Sequence, residues 1–263
     1  MIGRVALVGA GPGDPELLTL KAVRCLQEAD LILYDALVDP DVLNLAPNAR
    51  RFYVGKRGGR PSFKQEDIES AMIAAAGRGE YVVRLKCGDP FVLGRGGEEA
   101  IALSKAGIPF EVVPGVTSAI SAPLLAGIPV THRGVSPAFL MLSGHTRESW
   151  SPIVKSVSPN SVTLVVLMGI RSRMRLSDYL IQQGWRPDTP VAVLLAASTP
   201  NAETWTGTLR SLRDAFDHLD YVDSPGTIVI GDVVDVAQQI RPMMTHSSAD
   251  QKDSVTRAVS TYL

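Results

Sequence analysis

The chain has 263 residues, 45% of them hydrophobic, enough to bury one large core or two modest ones; at about 150 residues per domain, two are slightly favoured. Its 26 basic and 27 acidic side chains nearly cancel, which argues against nucleic-acid or membrane-surface partners and leaves any anionic ligand to a local basic patch. Two cysteines, Cys25 and Cys87, and four scattered histidines, His132, His145, His218 and His246, exclude a disulfide framework and offer no paired-imidazole site, so a reducing cytoplasm and no metal are expected.

In chain order, VALVGA at Val5 to Ala10 reads as a strand, followed by a helix from about Pro15 to Ala29 and the strand LILYD at Leu31 to Asp35. RFYVG at Arg51 to Gly55 and YVVRL at Tyr81 to Leu85 are further strands, with a helix from about Gln65 to Gly77 between them, and FEVVPG at Phe110 to Gly115 continues the series. Nearly continuous Val, Ile and Leu in these strands, with helices between, predicts parallel pairing covered on both faces. After Gly134 come four apolar runs, FLMLSGH, VTLVVLMG, VAVLLAAS and TIVIGDVV, with helices near Ser172 to Gln183 and Leu209 to Phe216, and they predict a second α/β domain. The expected division is 1–133, 134–240 and a polar, flexible tail 241–263. No basic N-terminal segment precedes a long apolar stretch and no apolar run approaches bilayer length, so a soluble protein without a membrane partner is expected.

The run GAGPGDPELLT, Gly9 to Thr19, sets three glycines between a strand and a helix, where backbone amides can approach a nucleotide-like group. It breaks the dinucleotide pattern, because Asp14 stands where the third glycine of G-x-G-x-x-G belongs, and Asp14 with Pro15 serves equally well as a helix cap. RLKCGDPFVLGRGGEEA, Arg84 to Ala100, repeats the arrangement after another strand, with Asp89 readable as a cap and Glu98 and Glu99 as first-turn acids. Between Arg50 and Lys64 lie six cations, Arg50, Arg51, Lys56, Arg57, Arg60 and Lys64, and no acid, which suits a polycarboxylate or phosphate as well as plain solvent. Arg133 could add a planar carboxylate clamp, Thr117 and Ser118 stand at a strand-to-helix junction, and Met168 at the end of an apolar run reads first as core packing.

Taken together, VGAGPGDPELLT, YDALV, VGKRGG, RLKCGDPFVLGRGGEE and VPGVTSA, with GIPVTHR close behind, resemble in order and spacing the tetrapyrrole (precorrin) methylases, or class III methyltransferases. The resemblance covers roughly Arg4 to Val234 and is strongest before His145. It implies two α/β domains with a cofactor and substrate cleft between them, a homodimer, and S-adenosylmethionine as co-substrate with S-adenosylhomocysteine as product. Within the family, YDALV, VGKR and GRGGEE go with members acting on uroporphyrinogen III, so methylation at carbons 2 and 7 to give precorrin-2 is the implied reaction. A later precorrin C-methyltransferase or a non-catalytic S-adenosylmethionine-binding protein are the alternatives, and Asp14 weakens a nicotinamide oxidoreductase. Because the resemblance begins within a few residues of the N-terminus, no dehydrogenase or ferrochelatase module is expected ahead of it.

Carried over residue by residue, the family's cofactor contacts fall on Pro12, Cys87, Gly88, Asp89, Val92, Thr117 and Ser118, with Met168 and Ala197 from the second domain. Asp35 and Lys56 match positions with acid-base roles, while Arg95, Glu98 and Arg133 match residues linked to substrate binding and proton removal; Glu98 is the first candidate base and Asp35 the second. The family usually has two glycines before Asp-Pro, and here Cys87 replaces the first, which would strain the backbone if that position needed a positive φ.

Overall fold

A computed structural model describes residues 1–55, 63–217 and 224–245. By its internal contacts the chain divides into a unit Met1–Ser118 and a second that begins at Ala119, and each is built on its own sheet.

The first unit contains strands β1 (Arg4–Gly9), β2 (Leu31–Tyr34), β3 (Arg50–Tyr53), β4 (Tyr81–Lys86) and β5 (Phe110–Val113). Helices α1 (Leu20–Glu28), α2 (Pro40–Leu43), α3 (Gln65–Gly77) and α4 (Gly96–Lys105) alternate with them. All pairs are parallel in the order β3-β2-β4-β1-β5, with Val5 opposite Val82 on one side and Phe110 on the other. Side chains alternate across a strand, so Ala6 and Val8 pack with Ala22 and Leu26 of α1, while Val5 and Leu7 pack with Ile68 and Met72 of α3. Burial on both faces is the reason β1 reads as an unbroken apolar run, each such side chain contributing about 1.5–3 kcal/mol. In such a sheet the strand C-termini share one rim, which is where open α/β sheets place their ligands.

The helix expected from Pro15 is in fact two pieces. Pro15–Leu17 is a 3-10 turn under Asp14, whose Oδ1 accepts from the Glu16 amide at 2.9 Å. Leu18 is extended, and Thr19 then caps α1 by accepting from the Ala22 amide at 3.1 Å, so the α-helix starts at Leu20.

The second unit carries α5 (Ser118–Leu125), which starts at its border, then β6 (Phe139–Ser143), α6 (Arg147–Ser156), β7 (Thr163–Leu167) and α7 (Arg173–Gln182). β8 (Pro190–Leu195), β9 (Glu203–Thr208), β10 (Gly226–Ile230) and α8 (Val233–Ile240) complete it. The sheet order is β6-β7-β10-β8-β9, with β10 antiparallel to both its neighbours. β6, β7 and β8 therefore run in one direction and end on one rim. Trp150, Leu176 and Leu180 cover one face of this sheet against Leu164, Val166 and Ile228, and Ala122, Val233 and Ala237 cover the other against Leu194 and Val229.

The segment expected as a helix over Leu209 to Phe216 holds a 3-10 turn, Ser211–Asp214, with Phe216 at a positive φ of 59° that no helix continues through. TIVIGDVV divides at Gly231, whose φ of 146° ends β10 ahead of α8. β9, largely exposed along ETWTGT, carried too little apolar alternation to be expected. At the start of the tail, Arg241–Met243 form a 3-10 turn and Arg241 Nε donates to the Ala126 carbonyl at 2.7 Å. The rest of the tail from His246 lies outside the described residues. No helix among the described residues is long and apolar enough to cross a membrane.

Candidate functional site

Three loops at the C-terminal rim of the first sheet meet through glycine. A Cβ at Gly9 would lie 2.5 Å from the Gly115 Cα, and one at Gly115 would lie 2.1 Å from the Gly88 carbonyl oxygen. Only glycine allows backbones this close. Gly11 and Gly88 exchange two backbone hydrogen bonds, 2.7 and 3.2 Å, which lock the first loop to the second. Asp89 ties the second loop to the third: its Oδ2 accepts from the Gly115 amide at 3.1 Å and its Oδ1 from the Phe91 amide at 2.9 Å.

The same meeting point is open on one side. At Gly88, φ +63°, an added Cβ would find, among the described residues, only the Thr117 Cα within reach, at 3.8 Å. Pro12, Cys87, Gly88, Asp89, Val92 and Thr117 belong to these three loops, Ser118 opens α5 directly after the third, and each is partly exposed. Backbone-lined space of this kind fits a nucleoside-bearing ligand such as S-adenosylmethionine, which needs close amides more than large side chains. The positive φ falls on Gly88, and Cys87 is absent from the left-handed residues, so the thiol side chain brings no backbone strain. Burial, and next the nearby Asp35 charge, push the Cys87 thiol above the usual thiol range.

Asp35 follows β2 on the same rim. Its backbone amide donates to the Leu85 carbonyl at 3.3 Å and its Oδ1 accepts from Arg84 NH2 at 2.5 Å, while its side chain is 25% exposed. Arg84 and Lys86 are both buried in β4, and Glu99 of α4 is fully buried against them. None of these three was expected in the site. The signal was present, since Arg84 and Lys86 interrupt an apolar strand at i, i+2 and so share one face.

Arg95 and Glu98 stand exposed at the start of α4, joined at two points, Nε to Oε1 at 2.9 Å and NH2 to Oε2 at 2.6 Å. The Arg95 hydrogen bond, followed by its charge, holds the Glu98 carboxyl below the usual carboxylate range. Arg95 itself adopts φ +60° and Leu93 φ +53°, a strained loop between Asp89 and α4. Lys56, with Arg57 and Arg60 of the basic loop, lies outside the described residues.

In the second unit, Arg133 is exposed in the turn before β6. Met168 corrects the core-packing expectation: it is 49% exposed with φ +56° at the end of β7. Ala196 and Ser198, on either side of Ala197 after β8, also take positive φ, 46° and 71°. These left-handed residues gather on one rim of the second sheet, the pattern expected where backbone strain serves a ligand. Among the described residues no group of three or more His, Cys, Asp and Glu is placed to hold a metal.

Residues 4–213 match the family model described as Tetrapyrrole (Corrin/Porphyrin) Methylases. The chain belongs to the tetrapyrrole methylase family. Among curated members, the uroporphyrinogen-III C-methyltransferase of Methanocaldococcus jannaschii is 46% identical over 239 residues, covering 90% of this chain and 98% of that one. The Priestia megaterium uroporphyrinogen-III C-methyltransferase is 43% identical, covering 89% and 99%. Among solved tetrapyrrole methylases, the uroporphyrin-III C-methyl transferase of Thermus thermophilus, complexed with S-adenyl homocysteine, superposes with a TM-score of 0.76 at 44% identity, covering 89% of this chain and 100% of that one.

Proposed function

We propose that this chain transfers methyl groups from S-adenosylmethionine to carbons 2 and 7 of uroporphyrinogen III, giving precorrin-2 and S-adenosylhomocysteine. One observation carries the reading: the end of β4 and the loop after it, Arg84 to Asp89, carry both the guanidinium that holds the Asp35 carboxylate and the glycine-lined opening at Gly88. The relatives at 43–46% identity, both uroporphyrinogen-III C-methyltransferases, supply the substrate.

When bound, S-adenosylmethionine supplies an electrophilic sulfonium methyl, and much of the protein's contribution is alignment. Pro12, Cys87, Gly88, Asp89, Val92, Thr117 and Ser118 of the first unit are the residues we assign to hold the donor. Attack by a pyrrole carbon leaves a cationic ring that must lose a proton to a nearby carboxylate. Asp35 is the acceptor we favour, because its partners are buried and fix it, whereas Glu98 is exposed and already paired with Arg95. The family resemblance assigns an acid-base role to Lys56 as well. In the first unit, Arg95 is the residue we assign to pair with a substrate carboxylate through its planar fork. We also infer a homodimer working in the cytoplasm; the unpaired Cys25 and Cys87 support a reducing compartment.

The test is incubation of the purified protein with uroporphyrinogen III and the donor, followed by mass spectrometry. A gain of two methyl groups supports the proposal, and an unchanged macrocycle overturns it. A preference for an already methylated ring would favour a later precorrin step. Asp35→Asn should slow turnover by about 10²-fold or more. If Asp35→Asn and Glu98→Gln both keep full turnover, the base lies elsewhere.

A further inference from the structure

Four charges meet behind the rim of the first sheet. Arg84 and Lys86 are 2% and 3% exposed, Glu99 is 0% exposed, and Asp35, the member that faces solvent, is 25% exposed at its side chain. Glu99 Oε1 accepts from Arg84 Nε at 2.9 Å, from Lys86 Nζ at 3.1 Å and from Gln65 Nε2 at 3.2 Å. Among the described residues, its Oε2 is buried without a hydrogen-bond partner. Arg84 spends its remaining nitrogens on Asp35 Oδ1 at 2.5 Å and on the Leu33 and Leu85 carbonyls, both at 3.3 Å. The guanidinium is thus held on every edge and cannot turn without breaking several bonds.

Stability does not account for this cluster. Buried ion networks cost desolvation and are often matched or bettered by apolar side chains of similar volume. A carboxylate kept fully buried with one oxygen orphaned is a further expense. Two cations and two carboxylates cancel, and the arrangement points outward at one place, the Asp35 carboxyl. Glu99 does not touch Asp35. It holds the two cations that do: Arg84 directly, and Lys86 with Nζ 3.9 Å from Asp35 Oδ2.

We propose that Glu99 is a positioning residue for methyl transfer, fixing the orientation and charge of the Asp35 carboxylate through Arg84 and Lys86. This rests on the reading of Asp35 as proton acceptor. Among the described residues, the charged or titratable groups facing Asp35 are Arg84, Lys86 and the Cys87 thiol from β4 and its loop, with Glu99 behind them from α4.

The experiment measures kcat, donor KM and the pH profile of kcat/KM for the whole enzyme and for Glu99→Gln, Arg84→Gln, Asp35→Asn and the Glu99→Gln/Asp35→Asn double variant. Glu99→Gln leaves two cations to one carboxylate and should move the acid limb to lower pH, while Arg84→Gln removes a cation and should move it to higher pH, each by about one unit. In Glu99→Gln, kcat should fall about tenfold with donor KM nearly unchanged. That fall should vanish in the Asp35→Asn background, because coupled residues are not additive. An unmoved acid limb, or the same fall in both backgrounds, overturns the proposal. Full turnover by Asp35→Asn alone would sink the underlying reading instead. Should Glu99→Gln fail to fold, Lys86→Met, which leaves Glu99 paired with Arg84, is measured in both backgrounds: a fall confined to the Asp35 background supports the proposal, and one common to both overturns it.

Discussion

Asp89 accepts a hydrogen bond from the Gly115 amide across the first sheet's rim, and this bond makes two loops twenty-six residues apart in sequence a single structural piece. Its carboxylate is committed to backbone amides on both oxygens. Asp89→Ala should therefore cost about 2 kcal/mol of stability. It should also weaken S-adenosylhomocysteine binding, with denaturant titration and calorimetry reading the two effects separately. Unchanged stability would mean that the loops are held by other bonds.

Gly115→Ala is expected to be worse. The new Cβ would sit 2.1 Å from the Gly88 carbonyl oxygen, a backbone atom that no rotamer change can move aside. A loss of about 3 kcal/mol, with product binding abolished, is the expected outcome in the same two measurements.

The Cys87 thiol should alkylate slowly at neutral pH, because the thiolate is the reacting species and burial with the Asp35 charge disfavours it. A thiol held above its usual range stays protonated as pH rises through that range, and reactivity appears only at higher pH. Asp35→Asn removes one of the two causes and should speed alkylation. Peptide mapping after iodoacetamide distinguishes Cys87 from Cys25, and an unchanged rate in Asp35→Asn would contradict the proximity of the two groups.

Met168 pays for its backbone conformation without the reward of a buried side chain. Met168→Gly should relieve about 1 kcal/mol of left-handed strain and give back a similar amount to unfolded-chain entropy, leaving stability close to wild type. Met168→Ala keeps the strain and should be the less stable of the two by thermal melting. Both should bind the donor more weakly, and unimpaired binding would remove Met168 from the site.

Much of the first unit was legible because its chemistry is local. β1, β2 and β5 are apolar runs ended by Gly, Asp or Pro, β4 opens on the apolar run YVV, and α3 was expected over the residues it occupies, Gln65–Gly77. The helix start at Leu20 was misplaced because Asp14-Pro15 and Thr19 are both good caps, and the backbone between them decides which one nucleates the α-helix. β9 was missed because its exposed, polar face carries little period-two signal, and the pairing of Val193 with Trp205 that fixes it is a contact of the folded state. The site divides in the same way. The glycine loops announced themselves by composition, whereas Glu99 looked like one of two acids favoured by a helix N-terminus. Its burial, and the exposure of Glu98 beside it, depend on which way α4 is turned against β4.

The contact among Gly9, Gly88 and Gly115 also constrains how this rim can diversify. Each neighbour that blocks a side chain at Gly9 or Gly115 is itself main chain, so no compensating mutation elsewhere can carve out room and these two positions can change only by remaking the loops wholesale, while Gly88 is held to glycine by its positive φ instead. The adjoining position carries a side chain without such a clash with its own backbone, since Cys87 is not among the residues of positive φ.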